Sequence, residues 1–498
     1  MEILKEYVIT LYHLSELEEF YNDMETLRPT LYNCMPERSI VIALRRPLSR
    51  NTHYWLYDYE VEGLRKDPRI AAINLKPVEL GMKVRRLWTE TSDEWNKSST
   101  VKASHKNWGL LRVIEGAQRE GWGSDNIPNQ SASISLTEEG RNVDIIIVDG
   151  HIDPEHPEFD NRVKQLDWNT LTADVLGIDN DFAGGLSSKY VYAFYTGKED
   201  NNHATHVAGI AAGNSQGWAR SANIYNISPY DSNPNKVSEL IIMDYIRAFH
   251  RNKEINPDTG YKTPTIVNNS WGYNYEIYLD NDPVLNVIYQ GNYIEGPFTE
   301  YELQNYGIFI DNGVCYAPAS YIAVDADVED AISEGIIVVG AAGNEGTKID
   351  LHGGIDYNNC FTTKKVGTVF YNRGSSPGKA VGSICVGSID ALSTEYKAIY
   401  SNCGPRVDIF APGTNIISST ISGGVPDPRG NGFLDKYSGT SMACPQVCGL
   451  LACALELNPT MTPEGALNYL IEHSKHNQIT DDTYLRSLQG APNRYLAR

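Results

Sequence analysis

The run Asn142–Val148 (NVDIIIV) sets the tightest limit on what this chain can fold into. A strand that is apolar on both faces has to be covered on both faces. That is the position of a central strand in a parallel sheet flanked by helices. The run ends at Asp149, and open α/β sheets gather their active groups at the carboxyl ends of such strands. Asp149 followed by Gly150 is equally ordinary turn chemistry. A chain of 498 residues has room for one large domain of this kind and a smaller one.

Composition narrows the partners. The chain is 41% hydrophobic and 21% charged, as globular proteins are. Its net charge of −21 makes a nucleic-acid backbone an unsuitable partner. No run of eighteen apolar residues occurs, so no membrane-spanning helix and no membrane partner are expected. Met1–Leu14 lacks a basic stretch followed by an apolar core, so a secretory signal is not expected. An intracellular location, export by another route and packaging in a particle such as a virion stay open. The eight cysteines show no paired metal spacing. One of them, Cys34, belongs to the N-terminal segment. The odd number left argues against a complete disulfide framework. Cys444, Cys448 and Cys453 fall around one helix and read as buried thiols.

Residues 1–77 read as a separate unit. Glu6–Leu11 is a strand, and Ser15-x-x-Glu18 is a capping box opening a helix with Leu17, Phe20, Tyr21 and Met24 on one face. Ser39–Leu44 and Thr52–Tyr57 are strands, Val61–Asp67 is a short helix, and Arg69–Leu75 is a last strand. The order β-α-β-β-α-β is the ferredoxin-like split unit, a fold that hosts many functions. Residues 78–106 turn polar, which suits both an interdomain linker and a processing site.

Four further stretches carry chemistry. Gly439-Thr440-Ser441 is a small-residue turn running into an apolar helix, with Pro445 read as part of its first turn. A serine there is either an N-cap or a nucleophile beside free backbone N–H groups. His203 and His206 stand one turn apart on a helix lined by small residues. A zinc pair would need a third ligand and usually a glutamate base, and Ala204 and Thr205 intervene instead. Ile336–Val339 is a strand leading through Ala341-Ala-Gly343 to Asn344. That amide can donate to an oxyanion or simply fill a glycine-flanked turn.

In chain order these stretches supply Asp149, His203, Asn344 and Ser441, and here the chain resembles the subtilisin-like serine proteases (subtilases). The resemblance runs from Trp108 to about Ser474. It rests on Asp149 with His156-Pro157, His203-Ala-Thr-His-Val-Ala-Gly209, Asn269-Ser-Trp-Gly272, Ala341-Ala-Gly-Asn344, Phe410-Ala-Pro-Gly413 and Gly439-Thr-Ser-Met-Ala443. It implies a three-layer α/β domain at 107–498 with a mostly parallel central sheet. Residues 1–77 are similar in pattern to the family's propeptide. The implied reaction is endopeptidase hydrolysis of protein or peptide substrates through an acyl-enzyme. Ser441 is then the nucleophile, His203 the base, Asp149 its partner, and Asn344 with the Ser441 N–H the oxyanion donors. Ser270, Trp271 and Gly272 would face Ala341, Ala342 and Gly343 as walls of the first specificity pocket. Asp231–Lys236 would lie along further subsites. The N-terminal domain would act as an intramolecular inhibitor of a zymogen and be cut off within 77–106.

The sequence departs from the family pattern at Gly150-His151, Ala204 and Gln446. It also carries about fifty added residues, 273–323, beside the pocket, which either govern access and selection or merely decorate the surface. No cofactor is required by this chemistry. Calcium is common in the family, and Asp179, Asp181 and the acidic stretch Asp427–Asp435 are the oxygen donors on offer. Trp271 is similar to the proprotein-convertase branch, although one Trp does not establish basic-residue cleavage. Two rival readings remain at this point: a binding protein on a subtilase scaffold, and a metal hydrolase using His203 and His206.

Overall fold

The computed structural model describes residues 3–26, 34–86, 89–90, 108–115, 137–166, 171, 174–175, 201–228, 239–392, 394–427, 429–481 and 485–498. The N-terminal unit is built from β1 (Lys5–Leu11), α1 (Leu17–Thr26), β2 (Val41–Leu44), β3 (Asn51–Leu56), α2 (Asp58–Leu64) and β4 (Ile70–Leu75). Its sheet has the order β2-β3-β1-β4 with every pairing antiparallel. That is the split β-α-β-β-α-β arrangement read from the sequence. Leu17, Phe20, Tyr21 and Met24 are the buried face of α1, as their spacing requires. Ser15 does not cap that helix. It sits in a 3₁₀ turn, Leu14–Glu16, that precedes α1. The chain continues as β5 (Met82–Arg86) and β6 (Thr89–Glu90), so the polar stretch after the unit is not simply a linker.

The large domain adds, in order, α3 (Trp108–Glu115), β7 (Asp144–Val148), β8 (Val163–Gln165), α4 (Asn201–Ala212), β9 (Asn223–Ile227), α5 (Ile242–Asn252), β10 (Thr265–Asn269) and β11 (Trp271–Tyr278). Then come β12 (Val284–Tyr289), β13 (Asn292–Glu295), α6 (Glu300–Asn305), β14 (Phe309–Asp311), β15 (Val314–Pro318), α7 (Ile322–Ser333) and β16 (Ile337–Ala341). The rest is β17 (Cys360–Thr363), β18 (Gly367–Phe370), β19 (Ile384–Ile389), β20 (Ile409–Pro412), β21 (Ile416–Thr420), β22 (Val425–Pro426), β23 (Phe433–Ser438), α8 (Thr440–Leu457), α9 (Pro463–His473), β24 (Lys475–His476) and β25 (Arg494–Tyr495).

Nine strands form the central sheet in the order β24-β25-β20-β19-β16-β10-β7-β9-β8. Neighbours are parallel except β24 with β25. The apolar run is indeed central and covered on both faces. Ile145 and Ile147 pack with α4 and α8, and Ile146 and Val148 pack with α5 and α7. The helices follow the same logic. Gly209 lets α4 approach β21: a Cβ there would stand 2.3 Å from the Ser418 and Ser419 hydroxyls, which donate to the His206 and Thr205 carbonyls. By length and composition α8 could cross a membrane, yet 89% of it is buried as the core helix of this domain. All eight cysteines are buried free thiols.

The added segment is no loose loop. β11 pairs with β15, β15 with β14, and β12 with β13 and β17. They enclose a core of their own around Ile277, Val287, Leu303 and Phe361.

The N-terminal unit sits on α5 and α7. Arg46 is fully buried between Asp244 on α5 and Asp327 on α7, at 2.8 and 2.7 Å. Asn51 Nδ2 donates to the Ala323 carbonyl at 2.9 Å, and the Tyr321 hydroxyl donates to the Leu75 carbonyl at 3.0 Å.

Candidate active site

Three neighbouring strands, β16, β10 and β7, deliver Asn344, Ser270 and Asp149 just past their carboxyl ends. α4 brings His203 and α8 brings Ser441 to the same edge. His203 Nδ1 lies 2.9 Å from both oxygens of Asp149, and the Gly150 N–H donates to Asp149 Oδ1 at 2.7 Å. This contact fixes the ring, since the nitrogen facing a carboxylate carries the proton and the other is left basic.

Ser441 is not the N-cap of its helix. Gly439 is, and Ser441 lies in the first turn. Its Oγ donates to the Ser270 carbonyl at 2.9 Å, and Ser270 Oγ returns a bond to the Ser441 carbonyl at 2.9 Å. That return bond has a cause in the sequence. Pro445 is the sixth residue of α8, beyond the first turn in which it was expected. Having no N–H, it cannot bond the carbonyl four residues back, which is that of Ser441. The Ser270 hydroxyl takes up the freed carbonyl, and Asn268 Nδ2 holds that hydroxyl at 2.9 Å. Ser441 and Ser270 are thereby tied together. Ser270→Ala is expected to lower unfolding free energy by about 1–3 kcal/mol in urea titration, because it orphans a buried carbonyl.

Asn344 Oδ1 accepts from the Thr440 N–H and hydroxyl, each at 2.9 Å. With its oxygen so engaged, the NH₂ is the side chain's free-facing donor end. Ser270, Trp271, Gly272, Ala341, Ala342 and Gly343 flank this edge, Trp271 edge-on to Tyr273 at 5.6 Å. Beyond Asn344, Glu345 is 4% exposed, and its oxygens accept from Asn274 and Asn402 at 2.9 and 2.7 Å. A cavity of about 750 Å³ opens there between the added segment, at Tyr301 and Phe309, and Asn344, Gly346 and Tyr400.

His206 takes a different partner from His203. Its Nε2 lies 3.1 Å from the Asp435 carbonyl, and its ring stacks on Tyr437 at 4.5 Å. Burial pushes its imidazole down to about 3, against the pull of the Asp435 carbonyl and with a small push from His203. It is neutral when folded and ionises when unfolded below about 6.5, so its contribution to stability is present above that pH and lost as pH falls toward 3. Urea titrations from pH 7 to 4 should show a slope approaching about 1.4 kcal/mol per pH unit from this group, absent in His206→Gln.

Among the described residues no group of three or more His, Cys, Asp or Glu is placed to hold a metal ion. Asp427 is engaged by Arg429 at 2.9 Å, while Asp179, Asp181 and Asp231–Lys236 lie outside the described residues. The departures have local partners: Gln446 Oε1 accepts the buried Trp218 indole N–H at 2.7 Å, and Ala204 is fully buried. Ser270 as a link to Ser441 was missed from sequence. Pro445, four residues after Ser441, was the available signal for it.

A family model described as the subtilase family matches residues 140–491. An extracellular serine proteinase of Thermus sp. (strain Rt41A) is 24% identical over 424 residues, 85% of this chain and 70% of that protein. Subtilisin-like protease 3 of Pseudogymnoascus destructans is 27% identical over 351 residues, 69% of this chain and 61% of that protein. Subtilisin E of Bacillus subtilis is 26% identical over 328 residues, 65% of this chain and 58% of that protein. Among solved structures, fervidolysin from Fervidobacterium pennivorans, a keratinolytic enzyme related to subtilisin, aligns with a TM-score of 0.53 at 16% identity. It covers 99% of this chain and 60% of that one, a likeness of fold.

Proposed function

The chain belongs to the subtilase family and is a subtilisin-like serine endopeptidase, and we propose that Asp149, His203 and Ser441 are its catalytic triad, with Asn344 as oxyanion donor. The observation that carries this is the His203–Asp149 contact at 2.9 Å, taken with Ser441 in the first turn of α8, the helix that packs on α4.

Ser441 Oγ attacks the peptide carbonyl, and His203 accepts its proton and delivers it to the leaving amine. Asp149 holds the ring and stabilises the imidazolium. The Asn344 amide and the N-terminal N–H groups of α8 take the oxyanion. Asn344→Ala is expected to lower kcat roughly 10²–10³-fold with KM nearly unchanged in peptide-substrate kinetics, because the donor acts on charge that develops in the transition state.

The N-terminal unit, docked through Arg46, serves as an intramolecular inhibitor that is removed by the enzyme itself. The added segment walls the cavity beside Asn344 and selects substrate there, so deleting 273–323 should change cleavage preference. The overall assignment is tested by protein-substrate hydrolysis in the presence of a fluorophosphonate or a chelator. Loss of activity with the first and retention with the second is expected. The reverse would favour the metal reading of His203 and His206.

A further inference from the structure

The chain continues past Asn344 into a second concavity. Asn344, Glu345 and Gly346 form one side of the cavity of about 750 Å³, a volume in the range of sites that enclose a ligand. Ala341–Gly343, which precede Asn344, and Ser270–Gly272 are not part of its described lining. The cavity therefore borders the walls expected of the first specificity pocket at Asn344 and shares none of their residues.

The opposite side comes from the added segment. Tyr301 stands on α6, and Phe309 and Ile310 stand on β14. β14 pairs with β15 and β15 with β11, so the sheet that carries Trp271 and Gly272 also carries this wall. α6 is fixed at its start by a capping box. Thr299 Oγ1 accepts the Glu302 N–H at 3.3 Å, and the Glu302 carboxylate accepts the Thr299 N–H at 2.8 Å. Ile399, Tyr400 and Leu485 complete the lining. Tyr301 is 73%, Leu485 62% and Ile399 50% exposed. Large apolar side chains grouped around a hollow and left in water mark a binding surface.

The chemistry of the lining selects against charge. No lysine or arginine is part of the described lining. Its two carboxylates are engaged by amides, Glu345 by Asn274 and Asn402 at 2.9 and 2.7 Å and Asp311 by Asn312 at 3.0 Å. The Tyr400 hydroxyl donates to the Gly413 carbonyl at 3.0 Å. An occupant is held here by the apolar area it brings.

We propose that this cavity takes a bulky apolar side chain, aromatic or branched aliphatic, from the leaving-group side of the substrate, on the first or second residue after the bond that is cut. The inference rests on the reading of Asn344 as oxyanion donor, which places the scissile carbonyl beside it. On that reading the residue before the bond lies between Ser270–Gly272 and Ala341–Gly343. The stretch of substrate left to enter a cavity that begins at Asn344 is the one beyond the carbonyl. Residues of an extended chain follow one another at about 3.3 Å, which keeps the occupant within one or two residues of the bond. Tyr301, Phe309 and Ile310 belong to the added residues, so this wall stands outside the family pattern.

The test is digestion of a library of peptides of known sequence by the protein purified from expression of the full-length chain. Cut sites are mapped by mass spectrometry, and fluorophosphonate labelling of Ser441 is read on the same sample. Phe, Tyr, Trp, Leu and Ile should be enriched at one of the two positions after the cut. The double variant Ile399→Ser, Leu485→Ser changes two exposed side chains. It should lower kcat/KM about tenfold for a peptide with Phe at that position, and leave unchanged both the matched Gly peptide and the preference before the cut. Four results would overturn the inference: enrichment of Lys or Arg after the cut, no preference there, a Phe preference that the variant retains, or equal losses on both peptides. With Ser441 labelled, any of these leaves the serine-protease reading standing. If Ser441 takes no probe and no peptide is cut, that reading falls and this inference with it.

Discussion

Ser441→Ala is expected to lower kcat/KM on a peptide substrate roughly 10⁶-fold while leaving the fold intact. The size follows from the role we propose for the hydroxyl. Without it no acyl-enzyme forms, and His203 and Asp149 have no proton to move, so removing any one member disables the unit. What survives is the stabilisation offered by Asn344 and the α8 N–H groups to a directly attacking water. The folding part of the expectation also has a structural basis. Ser441 Oγ makes one bond, to the Ser270 carbonyl. The bond that secures the start of α8 runs the other way, from Ser270 Oγ to the Ser441 backbone, and survives in alanine. Steady-state kinetics and urea titration of the same preparation separate the two effects. A variant that lost activity only in proportion to lost stability would contradict the assignment.

Arg46→Ala is expected to loosen the N-terminal unit by about 3–5 kcal/mol, the usual consequence of removing one partner from a buried ionic cluster. Arg46 is 0% exposed, and its guanidinium bonds both Asp244 and Asp327. Burial pushes the Asp244 carboxyl up, and Arg46 pulls against that push. Without Arg46 the larger pull is gone, Arg247 supplying the smaller one, and Asp244 is held higher still in the docked state. A carboxyl raised in the docked state favours docking at low pH and opposes it as pH rises through its own pKa. The loss should therefore be larger at pH 8 than at pH 5. In a Ser441→Ala background, which on the proposed reading keeps the chain whole, hydrogen exchange of β1 and β3 amides should accelerate roughly 10²–10⁴-fold, with β7 and β10 unchanged. The exposed pair Lys83–Glu276 provides the contrast. Its lysine is 57% exposed, and its removal should have an effect of no more than about 1 kcal/mol.

What could be read from the sequence was local or repeated in several places. The Asn142–Val148 run announced a strand covered on both faces. The 3.6-residue spacing of Leu17, Phe20, Tyr21 and Met24 fixed the buried side of α1. Asp149, His203, Asn344 and Ser441 each sat in a motif of several residues, and the fold brings those motifs to one edge of one sheet. What was not legible depends on partners far away in the chain. β5 and β6 carry no strong strand signal of their own, and their partners lie in β11 and β23. The short β24 and β25 close the sheet at its edge for the same reason. The added segment is different, because its signals were present. Gln290-Gly291 and Asn312-Gly313 both take positive φ and join antiparallel strands. Asn-Gly between apolar runs is the strongest short-range hairpin signal. Pro445 was misread by position. Placing it in the first turn hid the carbonyl it frees and, with that, the role of Ser270.

The central claim is that Ser441 is an activated nucleophile, and the most direct measurement is the site of a fluorophosphonate adduct. The processed protein is labelled, digested and mapped by mass spectrometry, with His203→Ala as the control that lacks the base. A single adduct on the peptide containing Ser441, formed at least 10²-fold more slowly in His203→Ala, is the expected result. An adduct on another serine, or labelling of Ser441 at the same rate in His203→Ala, would contradict the account.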